Sequence, residues 1–165
     1  MVAAALPAET PYDIFLSHAY CDRERIAEAR DQIMKEGYTV YVDWIEDADL
    51  ERASADRRTA ERLRRRMRRC GTLFYAVSSR AKISRWMPWE LGYGDAWTGR
   101  VFVYPLDPQA GDYAKQVEFL MLYPVVVDIA ALDLGVDDCL MRESTAAPDT
   151  ISRRASTSAG VKSVR

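Results

Sequence analysis

This sequence offers little for metal binding or for a nucleophile–base pair. It has one histidine, His18, and three cysteines, Cys21, Cys70 and Cys139, in 165 residues, with no C-x-x-C pair. An odd, widely spaced cysteine set argues against a disulfide framework or a zinc site and fits a reducing cytosol. No Gly-x-Gly-x-x-Gly follows the first strand-like run, which speaks against a Rossmann dinucleotide oxidoreductase, and there is no Walker A sequence. The Asp pair of a response-regulator receiver is missing as well. No apolar stretch approaches the length of a membrane span. Met1 to Ala8 has no basic n-region and too short an apolar run for a signal peptide, so a cytoplasmic, membrane-free protein is expected. A net charge of −2 gives no reason to expect nucleic acid as the main partner.

What is present reads as one domain with alternating elements. Tyr12 to Ser17 is a short apolar run suited to a buried strand. Residues 22–36 have helical spacing, with Asp22 as N-cap and Gly37 as the residue after the C-cap. Thr39 to Asp43 reads as a second strand, followed by a long polar connection over 44–55. An Arg-rich helix runs from about Asp56 to Arg69 with Leu63 and Met67 facing inward. Thr72 to Ser78 is a third strand, Val101 to Leu106 a fourth and Tyr123 to Ile129 a fifth. Short helices are expected over 112–121 and within 130–141. Residues 1–11 read as a flexible leader, 12–143 as the domain and 144–165, poor in large apolar residues, as a disordered tail. Strands alternating with helices imply a doubly wound α/β fold, a five-stranded parallel sheet with helices on both faces.

Charge is unevenly spread. Residues 52–69 hold nine arginines against Asp56 and Glu61, a net of +7 that leaves −9 elsewhere. The run lacks the interleaved aromatics of single-strand binders, so a solvated helix face or an acidic partner surface is expected over nucleic acid.

Ligands of such sheets collect at the carboxyl ends of the strands, here Ser17-His18-Ala19-Tyr20, Asp43-Trp44 and Ser78-Ser79. Near them lies Glu90, in Trp86-Met87-Pro88-Trp89-Glu90-Leu91-Gly92-Tyr93-Gly94-Asp95-Ala96-Trp97. On a helix, Trp86, Glu90, Tyr93 and Trp97 follow the i, i+4, i+7, i+11 stripe of one face. A carboxylate among aromatics is either an edge acid paired with an arginine or a working group whose desolvation is compensated. Pro88 suits the first turn of that helix.

Four landmarks then fall in order. Tyr12 to Ala19 followed by Asp22 resembles the opening strand and loop of bacterial Toll/interleukin receptor (TIR) domains. Thr39 to Asp43 resembles the strand leading into that family's BB loop, here 44–55. Thr72 to Ser78 resembles its third strand, and Ser84-x-Trp86-x-x-x-Glu90-Leu91 its Trp-x-x-x-Glu motif. The resemblance covers roughly residues 12–130 and implies the flavodoxin-like TIR fold. It also implies that Glu90 is the catalytic residue of an NAD+ glycohydrolase or cyclase, with His18, Ala19, Tyr20, Trp44, Ser78 and Trp86 lining the substrate site. NAD+ would be the substrate, with no cofactor and no metal. Self-association through 44–55 and a separate nucleotide-sensing effector in antiphage defence are the implied partners. A TIR interaction module acting by assembly alone is the alternative, and a nucleoside deoxyribosyltransferase-like enzyme a weaker third reading.

One carboxylate suffices for this chemistry. Nicotinamide leaves as a neutral pyridine, so the general acid of ordinary glycosidases is not needed. The protein must stabilise a ribosyl oxocarbenium ion, which a buried carboxylate does through a poorly screened field. A general-base role for His18 is the lesser expectation, because no proton in this reaction obviously needs it.

Overall fold

A computed structural model describes residues 11–50, 56–79 and 84–134. The expected leader up to residue 10, the tail, Cys139, residues 51–55 of the connection and most of the 130–141 helix lie outside the described residues. The elements are β1 (Tyr12–Ser17), α1 (Arg23–Lys35), β2 (Val40–Tyr41), α2 (Asp43–Glu46), α3 (Arg57–Arg68), β3 (Cys70–Val77), α4 (Met87–Thr98), β4 (Val101–Pro105) and α5 (Ala110–Ala114). Short 3₁₀ turns at Tyr20–Asp22 and Glu118–Leu122 complete them.

The strands pair in parallel in the order β2-β1-β3-β4. The fifth position exists but is slight. Val125 forms a single parallel bridge to Val103, supported by Val103 N–H to Pro124 O at 2.9 Å and Val126 N–H to Val103 O at 2.8 Å. Pro124 has no N–H to extend the ladder. The order is that of the flavodoxin-like doubly wound sheet, whose direction of winding reverses between β1 and β3.

Alternate residues of the buried strands feed two cores. Phe15, Leu73, Tyr75 and Val103 pack with Leu63 and Met67 of α3 and Met87 and Leu91 of α4. Ile14, Leu16, Phe74 and Ala76 pack on the other face with Ile26, Ala29 and Ile33 of α1. Gly37 closes α1 at a φ of 91°, donating to Met34 O at 3.1 Å, a conformation that favours glycine.

Several sequence expectations shift locally. Asp22 precedes α1 but makes no side-chain cap; its carboxylate instead accepts from Ser78 Oγ at 3.0 Å. The second strand shrinks to two residues, because Thr39 gives its N–H and hydroxyl to the Asp13 carboxylate at 2.6 and 2.7 Å. Asp43, expected at that strand's end, opens α2. The 112–121 helix is split between α5 and the 3₁₀ turn at Glu118–Leu122. Up to residue 134, the segment expected to enter a further helix forms turns.

The described part of the 44–55 connection is pinned down. Arg66 forks onto Asp47, with Nε to Oδ2 at 2.8 Å and Nη2 to Oδ1 at 2.7 Å, while Tyr41 OH donates to the same carboxylate at 2.7 Å. Arg62 reaches Asp49 at 2.8 Å, and Glu46 takes Arg30 at 3.0 Å and Tyr12 OH at 3.0 Å. Part of the arginine run therefore faces inward and anchors the loop. Burial raises the Asp47 carboxyl, but Arg66 and Tyr41 outweigh it and hold it below the ordinary range. The Arg66 guanidinium is raised by that same pair.

Candidate active site

The candidate site lies at the carboxyl ends of β1 and β3, the place where doubly wound sheets form their ligand crevice. Ser17 ends β1, and its hydroxyl donates to Glu90 Oε2 at 2.6 Å. Glu90 sits in the first turn of α4, its N–H bonded to Trp86 O at 2.8 Å, and its side chain is fully buried. Pro88 takes the first-turn position expected of it. On the other side of the crevice, Ser78 follows β3 and bonds Asp22, so the loop after β1 is tied to both neighbours.

The face that α4 buries differs from the stripe read in the sequence. Met87, Glu90, Leu91, Gly94 and Thr98 point inward, and Trp97 is 50% exposed. Gly94 lies against Leu73 and sets a gap too narrow for the large rings. Of these rings only Trp86 is buried: it edges onto the half-buried Trp89, Trp89 stacks on Tyr93, and Arg64 and Arg68 lie over Trp89 and Trp97. Trp89 and Trp97 thus pack with arginines at the helix rim.

His18 is buried with both ring nitrogens engaged. Nδ1 lies 2.9 Å from Leu16 O, and Nε2 lies 3.1 Å from the Trp44 indole Nε1. A carbonyl only accepts and an indole N–H only donates, so the imidazole is neutral with its proton on Nδ1. The lone pair that a general base would use is already occupied by Trp44. Asp43 Oδ1 stands 3.5 Å from the same nitrogen.

Of the other expected lining residues, Ala19, Ser78 and Trp86 are buried, Trp44 is half-buried, and Tyr20 is 70% exposed. The geometry joins Ser17 to Glu90, His18 to Trp44 and Ser78 to Asp22. Tyr20 reaches Trp44 only through Arg23, whose guanidinium lies 4.7 Å from one ring centroid and 4.5 Å from the other.

Asp107, Tyr75 and Arg23 were not singled out from the sequence. Asp107, just past β4, accepts from Ser79 N and Oγ at 3.0 and 3.1 Å and pairs with Arg25 at 2.9 Å. Burial raises its carboxyl, but the Ser79 and Ala110 donors and Arg25 hold it below the usual range. Burial, then Tyr113 and Glu90, push the Tyr75 phenol up to about 12, so it stays protonated beside the carboxylate. Tyr75 reads in sequence as one more core aromatic of a buried strand. Arg23 carried a usable signal, a cation on the first residue of a helix, where the macrodipole disfavours it. Among the described residues, no group of three or more His, Cys, Asp or Glu side chains forms a metal site, and no helix is long and apolar enough to cross a membrane.

No family model matches the sequence. The 3′ cyclic ADP-D-ribose synthase ThsB′ of Bacillus cereus (strain MSX-D12) is 46% identical over 116 residues, covering 70% of this chain and 60% of that protein. The cyclic ADP-D-ribose synthase TIR2 of Cytobacillus dafuensis is 26% identical over 109 residues, covering 66% of this chain and 29% of its own length. Both activity names are provisional, and the chain spans less than two thirds of either relative. The strand order, the Trp86–Glu90 motif at the start of α4 and these matches together make the chain similar to bacterial TIR-domain proteins.

Proposed function

We propose that this chain cleaves the nicotinamide–ribose bond of NAD+ with Glu90 as its catalytic carboxylate. The observation that carries the reading is a fully buried glutamate held by Ser17 at 2.6 Å in the β1/β3 crevice, where doubly wound sheets bind ligands. The C1′–N bond breaks with its electron pair going to the pyridinium nitrogen, so nicotinamide leaves neutral. The ribosyl cation left behind is stabilised by the Glu90 charge in a setting that screens it poorly. NAD+ is the substrate and no cofactor is needed.

Cyclisation is the favoured fate. A hydroxyl of the second ribose attacks C1′ and passes its proton to the Glu90 carboxylate, closing a cyclic ADP-ribose; attack by water, losing a proton in the same way, would give linear ADP-ribose. The names of the two relatives support the cyclic outcome, as does the aromatic pair Trp86–Trp89 on the helix that carries Glu90, which would limit water. The product would serve as a messenger to a separate nucleotide-sensing effector in antiphage defence. Because Glu90 is fully enclosed, substrate entry requires the crevice to open, and self-association through the 44–55 loop is the proposed means.

The test is nicotinamide release from NAD+ by purified protein, with mass spectrometry of the ADP-ribosyl product, for the native chain and Glu90→Gln. Release by the native chain alone is expected, with specific activity rising as the protein is concentrated. No nicotinamide at any concentration would leave the self-assembling module as the better reading. Activity retained by Glu90→Gln would move the site elsewhere.

A further inference from the structure

Among the described residues, Arg23 is the one arginine of α1 with no carboxylate partner. Arg25 pairs with Asp107 at 2.9 Å and Arg30 with Glu46 at 3.0 Å, whereas Arg23 lies between the rings of Tyr20 and Trp44. Its Nη1 donates to Tyr20 OH at 3.0 Å, and its Nε is buried with no acceptor among the described residues. It stands at the first position of the helix, where the macrodipole opposes a positive charge. Of the two acids that immediately precede Arg23 and Trp44 in sequence, Asp22 accepts from Ser78, and Asp43 Oδ1 stands 3.5 Å from His18 Nε2. A guanidinium held 4.7 and 4.5 Å from two ring centroids, against the helix dipole and with no carboxylate among the described residues, is suited to an oxyanion.

Its position points to a source for the anion. Contacts run without a break from Glu90 to Ser17 at 2.6 Å, along the backbone to His18, on to Trp44 at 3.1 Å and across its ring to Arg23. A substrate with its glycosidic carbon at Glu90 would reach Arg23 with its remaining groups once the buried Ser17–His18 segment is uncovered by the opening of the site. We propose that Arg23, clamped by Tyr20 and Trp44, holds the diphosphate of the ADP-ribosyl substrate and so acts as a specificity residue. The assignment rests on the NAD+ reading of the crevice.

The experiment compares native protein, Arg23→Gln and Arg23→Lys in two measurements. One is the affinity for ADP-ribose by calorimetry. The other is the preference, as a ratio of kcat/KM values, for NAD+ over nicotinamide riboside, which has no phosphate. Arg23→Gln should weaken ADP-ribose binding roughly tenfold and lower the preference by a similar factor, through KM, as expected for one lost charge-assisted contact. Arg23→Lys should recover part of both, since it keeps the charge and loses the fork. Unchanged affinity and preference in Arg23→Gln would overturn the proposal, as would an equal loss on both substrates, which would mark a structural role. Arg23-dependent binding of ADP-ribose by a protein that cleaves no NAD+ would uphold the clamp and overturn the proposed reaction. Failure of the native protein to bind ADP-ribose would overturn the clamp.

Discussion

Gly94 of α4 meets Leu73 of β3 with no room for a side chain. A Cβ on Gly94 would stand 2.5 Å from Leu73 Cδ1 and 3.1 Å from Leu73 Cβ. The Cδ1 can rotate away, but the Cβ is fixed to the central strand. Gly94→Ala should therefore push α4 off the sheet, costing about 1–3 kcal/mol, as overpacking does. Glu90 lies one turn away on that helix, so turnover of NAD+ should fall along with the melting temperature. An unchanged melting temperature would show that the helix has slack at this contact.

Ser17→Ala removes the 2.6 Å donor from the Glu90 carboxylate while adding no bulk. The hydrogen bond aims the charge, so kcat should fall about tenfold, a loss of roughly 1.4 kcal/mol, with KM within about twofold. Steady-state kinetics separate the two constants. A rise in KM at constant kcat would mean that Ser17 binds substrate and does not orient the acid.

The Arg66–Asp47 fork is buried on both sides, with side chains 6% and 12% exposed. Breaking it from one side leaves a charge enclosed, so Arg66→Met or Asp47→Asn should each destabilise by about 3–5 kcal/mol, and the double variant by less than the sum. The Asp47 carboxyl is depressed from 3.8, so its contribution is complete above that pH and is lost as pH falls through its lower folded value. Acid denaturation of Asp47→Asn should accordingly lack that portion of the curve.

Tyr41 gives the opposite pH dependence. Burial, then the Asp47 and Asp43 charges, push its phenol far above the ordinary 10.0. The folded chain keeps it protonated while the unfolded chain ionises it, so its stabilisation holds below pH 10.0 and declines above it. The slope is about 1.4 kcal/mol per pH unit for this group. Denaturant titrations in the alkaline range should show the decline, and Tyr41→Phe should flatten it. An identical slope in the variant would assign the effect to other groups.

The runs at Tyr12–Ser17, Cys70–Val77 and Val101–Pro105 were legible because strands buried on both faces read as continuous apolar sequence. The Arg-rich helix was legible too, since Leu63 and Met67 keep helical spacing through the charge. Glu90 could be picked out as an acid among rings, but its partner could not, because Ser17 is 73 residues distant and nothing local marks it. The orientation of α4 was hidden for a related reason. Spacing favours the tryptophans as the inward face, whereas the limit is steric and comes from Gly94 against another element. Thr39 reads as strand by propensity, and only the approach of Asp13 shows that its N–H is taken.

Because β1 lies between β2 and β3, the chain must fold around a strand that is synthesised early and sheltered late. Tyr12 lies beside Cys70 in the sheet, so during translation the far edge of β1 stays unpaired until that distant segment emerges. An apolar strand with an open edge is prone to mispairing, and long-range parallel contacts form slowly. The nascent chain is therefore most exposed to aggregation between the emergence of β2 and that of β3. By the end of that interval Ser17, His18 and Trp44 have all been made, so one wall of the crevice precedes the glutamate that enters it.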